Sequence, residues 1–516
     1  MVGVVTVPEE FLNKLKKSVL PQYKACFITA IIIGLIAHLY KITNWLPNWD
    51  SIVFRYDAQN MLNIGRWFLP VVSAPSSFYD LPWLTGIIAI IFYAVGAVVI
   101  CRMFDVKKNI TAGLIGAMVV SFPTVTSVML YNYVADAYAL AFLLATLAAF
   151  FISKKRPNFI LAVIFIALSV GIYQAYVTVT ITLLLCNLIL QVFDNRSKVK
   201  EILLKAAKYL LIGVAGMALY YVILLITLKI TGTTLLEYQG IDNLTSLSGF
   251  NILKSLYTIK EAFVNLFFDF SKGFNAFAIL NIIVFALLFV FLLTEIIKNK
   301  LNVAKILVLL VCIVLLPIGA GALSFINGDV DFHNLMKMGF FAFYLLLILQ
   351  YENVQLKSEK FNVVKLWAIL ILMITLIFNQ IVIANVSYHK LNMAYQKSYG
   401  VIIRIADRIE QTEGTENCNK ILVLGTLDDS EAYSAMLPPE ITGTTDGYII
   451  RADDEMVGQS VFCSAINDYC GKNYKFVAGQ EKEELLNKFD EKSLNVWPQS
   501  NSILVIDNVI VIKLSN

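Results

Sequence analysis

The sequence has few charged residues for its length. Of its 516 residues, 15% are charged and 58% are hydrophobic, whereas soluble globular chains have about 25% charged and 45–50% apolar residues. This composition excludes a disordered protein and argues against an ordinary cytosolic enzyme. The net charge is only +4, and no basic stripe with interleaved aromatics is present, which excludes a nucleic-acid binder. A polytopic membrane protein is therefore the first interpretation.

Several catalytic and binding motifs are also missing. The chain contains no P-loop, no GxGxxG after a strand, no nucleophile elbow, no HExxH and no CxxC. ATP-driven transport by this chain alone is therefore not expected. Its three histidines exclude a multi-histidine metal centre. The apolar stretch near residue 25 is long and lacks a small-residue cleavage site, so we expect no cleavable signal peptide.

Long apolar runs fill much of the chain. A helix needs about 20 apolar residues to cross a bilayer, and the sequence predicts eleven such spans. The run 159–193 is too long for one span, and Gly171 and Gln174 indicate a tight hairpin in its middle. The predicted spans are residues 24–41, 83–101, 110–130, 134–153, 158–172, 175–193, 208–230, 275–297, 302–325, 334–351 and 364–386.

Basic residues are distributed unevenly among the connections between these spans. With the N-terminus in the cytoplasm, 21 Lys and Arg of residues 1–386 fall on inside segments and five on outside loops, and the remaining three, Lys41, Lys229 and Lys337, lie at predicted outer borders. The positive-inside rule favours this orientation. Ten spans would instead place the basic segments 298–305 and 357–365 outside. We therefore expect an odd number of spans and an extracytoplasmic C-terminal part.

The charge balance divides the chain near residue 387. Residues 1–386, the predicted membrane body, hold 29 Lys and Arg against 18 Asp and Glu, whereas residues 387–516 hold 12 against 19. The second part, called the tail below, is long enough to bury a core of its own. Residues 389–412 are predicted to form an amphipathic helix that leaves the membrane.

Strand patterns follow in the tail. The runs 420–425 and 474–478 predict strands, and residues 502–514 predict a hairpin that turns at Asp507 and Asn508. Residues 481–491 are predicted to be helical. The fold class expected from the sequence is thus an all-α polytopic membrane protein with a small C-terminal α/β domain outside the cytoplasm.

Acidic side chains collect on the predicted outer side. The long outer loops are residues 42–82 and 231–274, and the outer loops of the body together hold ten acids against five Lys and Arg. Asp50 and Asp57 are seven residues apart, so they would share one face if residues 50–64 were helical. Paired carboxylates there would suit general-base catalysis. The alternative is that both are solvated loop residues.

Other charged residues lie at the outer border of the membrane. Asp136 stands at the outer end of the fourth span, where a buried acid usually has a partner or a function. Arg55 and Arg66 are candidate partners. The alternative is a helix-start carboxylate that the macrodipole favours. Arg66 and Lys337, together with Arg55, are also candidate ligands for a lipid phosphate.

Tryptophans are concentrated around the first outer loop. An interfacial aromatic belt explains most of them. Trp49 and Trp67 are alternatively candidates for stacking on sugar rings.

A metal site is a weaker hypothesis. Asp329, Asp331 and His333 alternate in the connection between the ninth and tenth spans, and such ligands can hold a divalent cation. A loop rich in Asp and Asn at a span boundary is commonplace, so we expect no metal and no other cofactor.

The order of these features resembles the bacterial membrane glucosyltransferases of the O-antigen-modifying type, which belong to the GT-C superfamily. That family typically shows an acid or an acidic pair in its first loop. Here Asp50 is followed by Ser51, so an adjacent pair is missing and Asp57 is the candidate second acid. The resemblance is carried by Trp49-Asp50, Gly65-Arg66-Trp67, the segment 132–136, the segment 171–174 and the end 509–514.

The resemblance implies a reaction and its partners. The donor would be a polyprenyl-phosphate hexose, with glucose as the expected sugar, presented in the outer leaflet of the bacterial plasma membrane. The acceptor would be an extracytoplasmic glycan such as O-antigen or another surface polysaccharide. Displacement at the anomeric carbon would be inverting or retaining. On an inverting path Asp50 would take the acceptor proton, and Arg or Lys would neutralise the leaving lipid phosphate.

Other functions fit a polytopic chain. A transporter or lipid-linked-glycan flippase would place ionisable residues in mid-membrane and show internal repeats, and neither pattern is seen in this sequence. A glycan polymerase or ligase is the third alternative, because it too is membrane-bound with a large outer loop.

Overall fold

A computed structural model describes most of the chain. The described residues are 7–10, 19–47, 49–55, 57–76, 78–154, 157–236, 251–271, 273–326, 332–353, 360–425, 455–490 and 493–515. The α-helices from the first spanning segment onward are Pro21–Thr43, Trp49–Val53, Leu69–Ser73, Pro82–Met103, Asn109–Ser121, Pro123–Leu130, Ala135–Ser153, Phe159–Ile172, Val177–Phe193, Val199–Thr231, Ile252–Phe267, Ala276–Lys298, Val303–Ala320, Ala342–Asn353, Lys360–Glu410, Glu455–Cys470 and Gly479–Leu486.

Local sequence signals mark the starts of several spanning helices. Pro21 and Pro82 begin their helices at the first position, where the missing N–H is not needed and the fixed φ is already helical. The side chains of Asn158, Asn275 and Asn302 cap the next helices by accepting backbone hydrogen bonds. These caps satisfy N–H groups that the first turn of a helix leaves without partners.

The predicted membrane architecture is confirmed. Among the described residues, nine helices are long and apolar enough to cross a bilayer, and the pair Asn109–Ser121 and Pro123–Leu130, bent by 40°, adds a tenth. The shorter apolar helix Phe159–Ile172 fills the place of the eleventh predicted span. The break that Gly171 and Gln174 indicated is present, because the next helix begins at Val177.

Polar contacts join the segments that connect the spanning helices, separately on each side of the membrane body. On one side, Lys305 donates from Nζ to the Asp194 carbonyl over 2.8 Å, and Lys108 donates to the Glu352 carbonyl over 2.9 Å. These are segments that we expect to be cytoplasmic. On the other side, the outer-loop residue Leu236 donates its N–H to the Asn63 carbonyl over 2.9 Å. Each of these bonds therefore joins two connections that eleven alternating crossings would place on the same side of the membrane.

The last membrane helix continues into the tail. Helix Lys360–Glu410 is 51 residues long and, at 1.5 Å per residue, about 76 Å, more than twice the thickness of a bilayer hydrocarbon core. The predicted division at residue 387 falls within this helix. The division into two domains stays a prediction, because one helix belongs to both parts.

The strands predicted in the tail are present, and they form one mixed sheet. Its strands are β1 (Lys420–Leu424), β2 (Lys475–Phe476), β3 (Ile503–Ile506) and β4 (Val509–Lys513), in the order β2-β1-β4-β3. β1 pairs in parallel with β2 and β4, and β3 and β4 form the antiparallel hairpin. Asp507 and Asn508 both have positive φ, as a two-residue type I′ turn requires.

Other parts of the tail and of the second outer loop differ from the prediction. Helix Glu455–Cys470 was not predicted, and it packs on the long helix and on β1. The second outer loop also contains a helix, Ile252–Phe267. The three tail cysteines are free thiols.

Candidate active site

The described part of the loop 42–82, the predicted first outer loop, lies at one end of the spanning helices. Its first element is the helix Trp49–Val53, which carries Asp50. Ser51 and Ile52 of this helix are buried, at 0% and 3% exposure, while Asp50 is half-buried. The helix is only five residues long, so packing rather than intrinsic helix stability must hold it in place.

Asp50 is in an unusual electrostatic environment. Burial raises the pKa of its carboxyl to about 7, and the guanidinium of Arg66 opposes this rise. The Tyr133 ring is also within electrostatic range of Asp50. A carboxyl that titrates near neutral pH is well matched to accept and release a proton. We call Asp50, Arg66, Tyr133, Tyr138 and Tyr173 the outer cluster.

Arg66 is the cation of the outer cluster, and it is 8% exposed. Its Nη1 donates to the Tyr138 hydroxyl over 2.8 Å, and its guanidinium lies 4.6 Å from the centre of the Tyr173 ring. Tyr138 and Tyr173 stack in parallel, with centroids 4.4 Å apart. Two aromatic faces and a hydroxyl thus hold the guanidinium in one orientation.

The backbone around Arg66 is anchored to the membrane helices. Gln174, in the turn of the predicted hairpin, donates from Nε2 to the Ile64 carbonyl over 2.9 Å. Tyr220 of helix Val199–Thr231 donates to the Gly65 carbonyl over 3.0 Å. Gly65 has a φ of 81°, which residues with side chains rarely adopt. The segment carrying Arg66 is therefore a rigid part of the body.

Trp67 lies against the same hairpin. A Cβ added to Gly171 would be 2.7 Å from two atoms of the Trp67 ring, so only glycine allows this approach. The Trp67 Nε1 is buried and has no hydrogen-bond partner among the described residues. An indole N–H of this kind can donate to an oxygen of a ligand.

The contacts described for Asp57 and Arg55 are a local turn and an ion pair with the tail. The expectation of one helix over residues 50–64 is wrong, because the helix ends at Val53 and Gln59 has a φ of 55°. Asp57 accepts from the Gln59 N–H over 2.6 Å in a local turn. Arg55 donates to Asp468 of the tail over 3.1 Å. The shared helical face that paired Asp50 with Asp57 is therefore absent.

Asp136 occupies the first turn of helix Ala135–Ser153 and is 4% exposed. Its Oδ1 accepts from the N–H of Ala137 over 2.9 Å, and it also interacts with the hydroxyl of Ser76. This arrangement matches a carboxylate at a helix N-terminus. These contacts favour a structural role for Asp136 over pairing with the guanidinium of Arg55 or Arg66.

Two of the other predicted residues are buried or only partly described. Lys337 lies in the 3₁₀ segment Asn334–Phe341 and is 3% exposed. Trp49 lies in the helix of Asp50, but its side chain is outside the described part. Asp329 and Asp331 also lie outside the described residues, so the metal hypothesis for that loop is untested. Among the described residues, no group of three His, Cys, Asp or Glu side chains forms a metal site.

Asp80 is a central residue of the loop that sequence reasoning did not select. It is 8% exposed and accepts from Trp45 Nε1 over 2.9 Å and from Asn132 Nδ2 over 3.0 Å. It also interacts electrostatically with the buried Lys41. Asp80 thus ties the two ends of the loop to the fourth span. The only local sequence feature that marks Asp80 is its position two residues before Pro82, where the helix begins.

An apolar cleft of about 990 Å³ lies between the spanning helices beside this site. It follows helix Val199–Thr231 from Ile202 to Tyr221, a rise of about 28 Å at 1.5 Å per residue. Its other walls come from helices Val177–Phe193 and Val303–Ala320. Tyr220 lines the cleft and also bonds the Gly65 carbonyl. The cleft therefore reaches the segment that carries Arg66.

Comparison with known proteins gives a match to a family model. A family model described as Glucosyl transferase GtrII matches residues 39–333, which is more than half of the chain. The matched region begins before the first outer loop and includes Asp50, Arg66, Asp80 and Asp136. No curated protein and no solved structure matches the chain.

Proposed function

The chain belongs to the glucosyl transferase GtrII family and is a multi-pass membrane glycosyltransferase, and from this premise we propose what it transfers and where. We propose that glucose moves from a polyprenyl-phosphate sugar to an extracytoplasmic glycan, such as O-antigen or another surface polysaccharide. The proposed location is the plasma membrane of a bacterium.

One observation supports this proposal: Asp50 lies within electrostatic range of the guanidinium of Arg66. Burial raises the pKa of the Asp50 carboxyl to about 7, and a carboxyl with this pKa suits a general base. Arg66 is a buried, oriented cation, which suits a phosphate. Glycosyl transfer from a lipid phosphate needs both groups, one for the acceptor proton and one for the leaving group.

The proposed reaction is a single displacement with inversion. Asp50 accepts the proton of an acceptor hydroxyl while that oxygen forms a bond to the anomeric carbon. The bond from the anomeric carbon to the phosphate oxygen breaks, and the electron pair leaves with the polyprenyl phosphate. Arg66 stabilises the charge that develops on this phosphate. Lys337 stays a second candidate for the phosphate, and Trp67 is a candidate for contact with the sugar.

The apolar cleft supports a lipid-linked donor. A chain lying along its length of about 28 Å would extend through nearly the whole hydrocarbon core, which is about 30 Å thick. A phospholipid acyl chain covers only about one leaflet, or half of that core. A polyisoprenoid is long enough for the whole cleft, and its phosphate would then lie near the Gly65 and Arg66 segment.

No metal or other cofactor is required by this proposal, because a guanidinium can supply the positive charge at the phosphate. The acidic loop at 329–331 stays the alternative place for a cation. Its role is tested by the chelator experiment described in the Discussion.

The orientation of the chain follows from the charge distribution. We propose a cytoplasmic N-terminus and an extracytoplasmic tail, because 21 cations of the body then lie inside and five outside. A reporter enzyme that works only outside the cytoplasm should be active when fused after Asn516. A reporter active only in the cytoplasm at that position would contradict the orientation.

The substrate proposal is tested with the purified chain in lipid nanodiscs. Transfer to a labelled glycan acceptor is measured with polyprenyl-phosphate glucose, nucleotide-linked glucose or a lipid-diphosphate oligosaccharide as donor. We expect transfer only from the first. Efficient use of the nucleotide sugar would contradict the lipid donor, and transfer of a whole oligosaccharide would indicate a polymerase or ligase.

A further inference from the structure

The tail packs directly on the helix that carries Asp50. Ile52, two residues from Asp50, is 3% exposed and belongs to the hydrophobic core of the tail. In that core it is grouped with Ile405 of the long helix and with Phe462 and Ile466 of helix Glu455–Cys470. The helix Trp49–Val53 therefore packs on the tail through Ile52, while Phe54, just after the helix, stacks on Tyr133 of the body with ring centroids 5.4 Å apart.

Polar and aromatic contacts fasten both ends of the same segment. At one end, Arg55 donates to Asp468 over 3.1 Å and lies 4.3 Å from the centre of the Trp45 ring. At the other end, Trp45 packs edge-on against Tyr395 and Tyr469 of the tail, with centroids 5.9 and 6.5 Å away. The segment 45–55 is thus attached to the tail before, within and after the helix.

Arg66 is attached to a different part of the molecule. Its hydrogen-bond partner Tyr138 lies on a spanning helix, and its backbone neighbours Ile64 and Gly65 are bonded to Gln174 and Tyr220. The segment of Asp50 is therefore held by the tail together with the membrane body. The contacts named here for the Arg66 segment are with the membrane body.

We propose that the tail acts as a positioning element that sets Asp50 opposite Arg66, with Ile52 and Asp468 as its positioning residues. The inference rests on the proposed function of Asp50. Its physical basis is that a helix of five residues has no stability of its own in water. A displacement of about 1 Å of a reacting group can lower a rate by about 10²-fold.

The tail contact at the Asp50 segment, which the Arg66 contacts named above do not share, predicts a specific kinetic result. Loosening the tail contact displaces Asp50 and leaves Arg66 in place, so kcat falls while the donor KM is retained. The Arg55–Asp468 pair is partly exposed, with 28% and 30% of the two side chains accessible. Pairs of this kind contribute little to overall stability, so a large kinetic effect would not come from unfolding.

The test uses the full chain in nanodiscs. For Asp468→Asn and Ile52→Ala we expect kcat to fall by about tenfold or more, with the donor KM within about twofold of the parent. Amide hydrogen exchange of the peptide covering residues 49–55 should become faster. Glu410→Gln is the matched control, because it removes another partly exposed ion pair, with Lys472 at 2.7 Å, away from the Asp50 helix.

A charge exchange separates positioning from donor binding. The double variant Arg55→Glu with Asp468→Arg restores the ion pair with its two charges exchanged. We expect this variant to recover much of the kcat lost in Asp468→Asn. If Asp468→Asn and Ile52→Ala leave both kcat and the exchange rate of residues 49–55 at parental values, the proposal is overturned. A higher donor KM in Asp468→Asn, not repaired by the exchange, would also overturn it, since Arg55 would then serve the donor.

The exchange measurement distinguishes this inference from the proposed function. If Asp50→Asn transfers glucose at a normal rate, Asp50 is not the base and the proposed function of that residue fails. Faster exchange at residues 49–55 in Asp468→Asn would still show that the tail holds this helix. Normal amide exchange at residues 49–55 in Asp468→Asn, together with an inactive Asp50→Asn, would overturn only the positioning role of the tail.

Discussion

Arg66 and Tyr138 are joined by a hydrogen bond of 2.8 Å across 72 residues of sequence. The bond links the first outer loop to the fourth spanning helix. It holds a buried guanidinium at the end of the membrane body where this loop lies, against the face of Tyr173. An arginine held in this way is oriented before any ligand arrives, which reduces the entropy lost when a phosphate binds.

Arg66→Ala is expected to weaken the use of the lipid-phosphate donor. Loss of a charge-assisted hydrogen bond costs about 1–3 kcal/mol, which corresponds to about 5- to 150-fold in kcat/KM. Transfer rates over a series of donor concentrations give this value. Arg102→Ala is the control, because Arg102 is exposed at the far end of helix Pro82–Met103. Equal kcat/KM for the two variants would remove Arg66 from the site.

Gly171→Ala tests the contact between the hairpin and Trp67. The added methyl would be 2.7 Å from the Trp67 ring, so the indole must move, at a cost of about 1–3 kcal/mol of stability. We expect lower transfer and a lower melting temperature in detergent. Gly400→Ala, in the long helix Lys360–Glu410, is a matched control, since nothing lies within 4 Å of the Cβ that it adds. Identical behaviour of the two variants would show that the position of Trp67 is unimportant.

A chelator is expected to leave at least about half of the activity, because the guanidinium of Arg66 can neutralise the phosphate. The assay compares transfer with and without EDTA, followed by Mg²⁺ or Mn²⁺. Abolition by EDTA and recovery with either ion would contradict this expectation. Asp331→Asn and Asp50→Asn, measured under both conditions, would then identify the carboxylate that binds the ion.

Much of the fold could be predicted from local sequence. The apolar runs mark the spans because a bilayer demands about 20 apolar residues per helix, and even the hairpin at Gly171 and Gln174 was visible. The turn at Asp507 and Asn508 was predictable because these residue types tolerate positive φ. Each of these features depends on neighbours a few residues apart.

The candidate site was predictable only in part. Asp50 and Arg66 could be named as single residues, but their proximity depends on contacts with Tyr138, Gln174 and Tyr220 that no local pattern encodes. The helical periodicity suggested for Asp50 and Asp57 failed because the chain turns after Val53. The roles of Asp80 and of the tail were missed for the same reason, since their partners are far away in sequence.

Asp50 is the residue on which the whole mechanism depends, and its protonation makes the reaction dependent on pH. Burial raises the pKa of this carboxyl to about 7, and only the ionised form accepts a proton. Activity should therefore fall as the pH drops through about 7. The neutral amide of Asp50→Asn avoids burying a charge, so this variant should be no less stable than the parent at pH 7.5.

The most direct measurement is the rate of glucose transfer by the parent and by Asp50→Asn between pH 5.5 and 8.5, with donor affinity measured alongside. We expect the parent rate to rise to a plateau with a midpoint near pH 7. The Asp50→Asn rate should be about 10²- to 10⁴-fold lower, without this rise, while donor affinity barely changes. Near-normal transfer by Asp50→Asn with the same pH profile would contradict the account and move the general base to Asp57 or Asp136.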